Sequence, residues 1–144
     1  MKNFTTRMTI AAAALVAAAG MASAQTMKAE IPFAFQVSGV VLAPGGYEVS
    51  LQYTPSGSHL LQFRNSDSRR SVLAMAVGAE DPHKDWTAAG GPKLSFVCGA
   101  SQCSLAETWN AQPGEPAYRF STPKLGKDEP RRVAVVPMRI EKGE

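Results

Sequence analysis

The chain has 144 residues, with 15 Lys and Arg, 12 Asp and Glu, two His and two Cys, and a formal net charge of +3. Its length fits one small domain, and its paired cations are isolated doublets, Arg69-Arg70 and Arg131-Arg132, beside Asp67 and Asp128-Glu129. Nucleic-acid binding needs clustered cations that displace counterions from phosphates, so the composition argues against it and the doublets read as solvated surface.

The first stretch is MKNFTTRMTIAAAALVAAAGMASAQ. Lys2 and Arg7 make a positive start, Met8 to Met21 carry no charge, and Ala22-Ser23-Ala24 is a small-x-small cleavage site. The uncharged run is shorter than the roughly 20 residues of a membrane-spanning helix. Residues 1–24 are therefore expected to be a cleaved secretory signal helix, with 25–144 a single all-β domain beginning at Gln25. No cysteine follows the cleavage site, so no stable membrane anchor is expected after cleavage. The mature protein should be free in the periplasm or outside the cell. The leader holds two of the basic residues and none of the acidic ones, which leaves a net charge of +1.

In EIPFAFQV, Ile31, Phe33, Phe35 and Val37 alternate with polar or small residues, the period of a half-buried strand. Pro32 cannot donate a ladder hydrogen bond, which predicts a sheet edge there. Val40-Val41-Leu42 leads into Ala43-Pro44-Gly45-Gly46, whose Pro-Gly suits a type II turn. YEVSLQY then returns with Tyr47, Val49, Leu51 and Tyr53 on one face, a hairpin signal. Turns at 54–58 and 65–68 bracket HLLQFR, and SVLAMAV follows. Residues 78–92, with three glycines and two prolines, read as a long surface loop.

Strands are expected at 93–98 and 103–109, then a break at Gln112-Pro113-Gly114-Glu115-Pro116 and a short strand in AYRF. In RVAVVPMRI, Ala134, Val136, Met138 and Ile140 share a face, and Pro137 makes this strand an edge candidate. No segment after the leader keeps a helical period. Seven or eight short strands with frequent turns predict an antiparallel β-sandwich or small β-barrel.

Residues 32–49 carry a pattern. P-F-x-F-x-V followed by L-A-P-G-G-Y-E-V resembles the mature N-terminus of small uncharacterised secreted bacterial β-proteins, P-F-x-F-x-V then L-P-A-G-x-Y-x-V. Pro32, Phe33, Phe35, Val37, Leu42, Gly45, Tyr47 and Val49 match, while Ala43-Pro44 stands in reverse order. Lys93, Leu94, Phe96, Leu105 and Trp109 continue the likeness. The resemblance covers about half the mature chain and implies an extracytoplasmic β domain without an assigned activity.

Catalytic chemistry finds little footing. There is no G-x-S-x-G, and a triad base would have to be His59 or His83. His59 sits at a turn-to-strand junction, where a local turn role or plain exposure is expected. Glu80, Asp81, His83 and Asp85 lie close in sequence, and Asp81, His83 and Asp85 are the candidate metal ligands. The spacing lacks the glycine and distant glutamate of a calcium loop, so a solvated loop is the expectation. Most aromatics fall on alternating apolar faces, Tyr53 among them, and should pack the core. Trp86, beside Asp85 in the polar loop, is the one proposed surface contact.

The only two cysteines lie in C-G-A-S-Q-C. A thioredoxin-type motif needs C-x-x-C at a helix start, and zinc would need two more ligands. Cross-strand pairing of Cys98 with Cys103 sets Phe96 against Leu105 and Ser95 against Ala106, a register that agrees with burial. A structural disulfide, Cys98–Cys103, is the expectation, in the oxidising compartment that the leader implies.

These readings converge on a non-catalytic secreted or periplasmic module of the cell envelope, with no cofactor, no catalytic residue and an unidentified protein or envelope partner. A small-ligand carrier, or a hydrolase whose site forms only on folding, is the alternative. Oligomeric state is not legible.

Overall fold

A computed structural model describes residues 26–141. The expected leader and residues 142–144 lie outside the described residues.

Among the described residues eleven strands and one short helix follow in chain order: β1 (Thr26–Ile31), β2 (Phe35–Val37), β3 (Val40–Leu42), β4 (Gly45–Tyr53), β5 (His59–Asn65), β6 (Ser71–Met75), β7 (Gly78–Glu80), α1 (Lys84–Ala89), β8 (Lys93–Cys98), β9 (Cys103–Trp109), β10 (Ala117–Arg119) and β11 (Arg132–Ile140). The all-β expectation holds. The strands form one strongly curved sheet in the order β3-β2-β9-β8-β11-β1-β4-β5-β6, and β10 bridges β9 to β7. Its two ends nearly meet, because Ser38 Oγ in the β2–β3 turn donates to Leu73 O of β6 at 2.8 Å. The result is a nearly closed barrel.

Three strands exceed the expected number, and each has a physical reason. β1 precedes the first predicted strand, burying Met27, Ala29 and Ile31 and turning Lys28 and Glu30 outward. Pro32 ends it, so residues 31–37 are two strands rather than one. β2 and β3 form a hairpin around Ser38 and Gly39, whose φ of 50° and 79° match the type I′ turn. β7 owes its existence to pairing with β10 and to no propensity of Gly-Ala-Glu.

The expected hairpin is re-partnered. β4 pairs with β1 and β5, so the chain between Leu42 and Gly45 bends without joining sheet neighbours. Neither proline marks an edge. β1 lies between β11 and β4, and β11 pairs with β8 through Arg132–Pro137 and with β1 from Met138 onward. Pro137, lacking an N–H, sits where β11 leaves one neighbour for the other, and Met138 N donates to Pro92 O at 2.9 Å.

The interior is filled by aromatic rings. Phe35 meets Tyr47, Phe63 and Phe96 at centroid distances of 5.2, 5.7 and 5.3 Å, and Phe33 meets Phe96 edge-on at 5.1 Å. Met27, Ile31, Val49, Leu61, Leu94, Leu105, Val136 and Met138 close around them. Tyr53 departs from the expected core, standing 59% exposed at the end of β4, where the sheet face it shares with Leu51 runs past the barrel's rim.

Candidate functional site

Cys98 and Cys103 face each other at the end of the β8–β9 ladder and are joined as a disulfide. Both are buried, and neither sulfur is left for a metal. Phe96 pairs with Leu105 as expected, but a β-bulge then shifts the register so that Ser95 meets Glu107 instead of Ala106. The freed Ala106 carbonyl accepts the Phe120 N–H at 2.8 Å.

The tip of this hairpin is held from outside. Glu129 Oε1 accepts from Ala100 N at 3.1 Å and its Oε2 from Gly126 N at 3.2 Å, tying the disulfide loop to residues 121–131. Gly99 permits the approach, because a Cβ there would lie 2.5 Å from Glu129 Oε1 and 3.0 Å from Leu125 Cδ2. Gly99→Ala is therefore expected to destabilise the protein by about 1–2 kcal/mol in thermal unfolding, through the lost Glu129 hydrogen bonds. In the Glu129→Ala background the same change should cost far less; equal costs in both backgrounds would refute the clamp.

Residues 78–92 are more ordered than a surface loop. Six residues are too few for a helix to persist alone, and α1 is held by Trp86, which packs with Trp109, Ala117 and Ala111 in a second cluster outside the barrel. Trp86 is only 4% exposed, which corrects its expected role as a surface contact. Burying its large apolar ring against Trp109 outweighs the polarity of its sequence neighbours.

His83, at the N-cap of α1, meets Trp86 edge-on with ring centroids 4.4 Å apart and brings Nε2 within 2.9 Å of Glu107 Oε2. Asp81 and Asp85 do not converge with it. No group of three or more His, Cys, Asp or Glu among the described residues could hold a metal ion. His83 finds its partner on β9, across the sheet, rather than in its own loop.

The outer face of the sheet follows from its register. Because Leu94, Phe96 and Cys98 point into the core, Ser95 and Val97 point out. One cross-strand row reads Val135, Ser95, Glu107, Arg119, Gly78. The row on one side holds Lys93 and Trp109, and α1 covers it through Trp86. The row on the other side is Val133, Val97, Ser104 and Gln36, and Thr122 and Pro123 with the chain to Arg131 lie over Val97 and Ser104. Between the two coverings runs a cleft of about 410 Å³, bordered by Glu80, His83, Ser95, Glu107, Arg119, Val133 and Val135 among others. Arg119 Nε lies 4.0 Å from Glu80 Oε1, and its guanidinium lies over Gly78, where a Cβ would meet Nη2 at 2.7 Å.

At one end of the barrel Tyr53, His59 and Tyr118 form a row, with His59 edge-on to Tyr53 and stacked on Tyr118. His59 lies between the tyrosines, with centroids 4.5 and 4.3 Å away. It is thus part of an aromatic stack rather than a free turn residue. The Tyr118 hydroxyl donates to Glu115 Oε2 at 3.3 Å. Burial, then the neighbouring Tyr53 and Glu115 charges, push its pKa well above the ordinary 10.0.

A phenol held neutral in the fold but free to ionise when unfolded contributes stability that is complete below pH 10.0. That contribution is lost as pH rises further. Alkaline unfolding of the wild type should therefore set in above pH 10.0. Tyr118→Phe should flatten the loss, as urea titrations at pH 8 and 11 would show. Parallel pH dependence of the two proteins would refute it.

No protein-family model, no curated protein and no solved structure matches this chain. Among the described residues no helix is long and apolar enough to cross a membrane.

His83 and Trp86 stand out in the sequence, whereas Ser95, Glu107, Arg119 and Glu129 do not. The alternation in KLSFVC places Ser95 outward, which was a usable signal. Glu107 offered none, because the bulge that aligns it with Ser95 is set by pairing.

Proposed function

We propose that this chain is a secreted or periplasmic non-catalytic β-domain that acts as an interaction module of the cell envelope. Two strand edges at the barrel's seam, joined there by the Ser38 Oγ to Leu73 O hydrogen bond, carry the reading. β3 and β6 each pair on one side only, and Val40, Val41, Leu73 and Met75 along them are exposed. Neither strand contains a charge or a proline, the devices that commonly blunt free edges against pairing with another chain. An extended segment of a partner protein suits such an edge, because main-chain hydrogen bonds give affinity while side chains select.

The disulfide, the leader-like first 24 residues and the resemblance of residues 32–49 to small secreted β-proteins support the extracytoplasmic setting. The ring-filled interior weighs against a carrier with a ligand in its lumen. Among the described residues neither histidine hydrogen-bonds a serine or threonine hydroxyl, so no nucleophile–base pair speaks for a hydrolase: His59 lies between Tyr53 and Tyr118, and His83 pairs with Glu107.

Site-specific photo-crosslinking in the native envelope tests the reading. Probes at Val41 and Met75 should give one discrete higher-mass adduct that Leu73→Lys abolishes, and a probe at exposed Tyr53 should not. Adducts independent of position, or none, would overturn it. Intact mass of the exported protein should begin at Gln25, and retention of the full chain in the cytoplasm would overturn the setting.

A further inference from the structure

We propose that the cleft between α1 and residues 121–131 binds a small amphipathic amine, with its ammonium at Glu107 and its aliphatic body on Val135 and Val133. The site lies apart from the β3 and β6 edges and stands independently of their role.

The geometry is set by the cross-strand row. Val135, Ser95 and Glu107 occupy three adjacent strands, so the backbones of Val135 and Glu107 are about 10 Å apart. That span suits a short alkyl chain with a charged head. Val133 and Val135 are 58% and 44% exposed at one end, an apolar wall open to solvent. A volume of about 410 Å³ falls within the range of small-molecule clefts.

Ser95 lies on the floor between head and tail. It is 3% exposed, and its hydroxyl has no hydrogen-bond partner among the described residues. No fully enclosed side-chain N or O atom among them lacks a partner, so the accessible remnant of this oxygen opens into the cleft that Ser95 lines. Here is a polar group more than nine-tenths buried and aimed at an occupant.

The charges favour a cation. Glu80, Asp85 and Glu107 line the cleft against Arg119 and Arg131. Arg119 is engaged near Glu80, and Arg131 belongs to the opposite wall, with residues 122–129. His83 takes only Oε2 of Glu107, and Oε1 has no partner among the described residues. The Glu107 side chain is 16% exposed, so an ammonium there would meet a carboxylate largely shielded from water, where a charge-assisted hydrogen bond is strong.

Backbone-amide NMR titration of the folded protein at neutral pH tests this with three probes: hexylamine, hexanoate and ammonium chloride. Hexylammonium should shift the amides of Ser95, Glu107 and Val135 saturably, and the other two probes should not. Glu107→Gln should weaken the response about tenfold. Val135→Asn, at an exposed position that leaves folding intact, should weaken it about threefold. Equal response to hexanoate would overturn the charge assignment. Shifts centred elsewhere, or unchanged affinity in Val135→Asn, would overturn the site.

Discussion

Phe35→Ala is expected to remove about 3–5 kcal/mol of stability, the range for truncating a buried aromatic ring. Typical total stability is only about 5–15 kcal/mol, so the variant should be partly unfolded near physiological temperature. Phe35 is 1% exposed and is the one ring in contact with Tyr47, Phe63 and Phe96 together. Its loss leaves a cavity walled by three rigid rings, which cannot collapse as flexible aliphatic side chains can. The edge-to-face contacts add to the loss beyond the area removed from water. Phe35→Leu retains most of the apolar volume and should cost less than half as much. Urea unfolding of the three proteins decides it; a Phe35→Ala loss within 1 kcal/mol of zero would show that the ring does not organise the core.

The second large effect concerns the disulfide. Cys98→Ala/Cys103→Ala should lower stability by about 2 kcal/mol, the chain-entropy cost of releasing so short a loop in the unfolded state. The residues are separated by only five positions, so the effect stays below that of disulfides closing long loops. Reductant should lower the melting temperature of the wild type and leave the double variant unchanged. Labelling of both thiols by an alkylating reagent in folded protein purified without reductant would contradict the bond. The loss should spread to residues 121–131, because Glu129 accepts a hydrogen bond from Ala100 within the same loop.

Two kinds of residue separated what could be read from what could not. Alternation in YEVSLQY assigned the inward face correctly for Tyr47, Val49 and Leu51 but not for Tyr53, and the register from the cysteine pair did so for Phe96. The cysteine pair was legible because spacing and face agreed. Pro32 and Pro137 misled: a missing N–H was taken to mark an edge, whereas β1 ends at Pro32's door and β11 changes neighbours at Pro137. Trp86 misled for a related reason. Its local polarity was visible, but Trp109, the surface it covers, lies 23 positions further along the chain.

By itself, then, the sequence determined the β class, the hairpin at the cysteines and the apolar faces that make the core. Those properties follow from a two-residue period and from turn chemistry, both of which act over a few neighbouring residues. Only the tertiary structure decided which strands became neighbours, that the sheet curls until its ends nearly meet, and that α1 and residues 121–131 wall a cleft above Ser95 and Glu107. Strand order and the bulge that sets Ser95 against Glu107 depend on contacts between distant segments, whose energies come from packing and carry no local period. The fold's class was therefore written along the chain, while its candidate site arose only where separate stretches met.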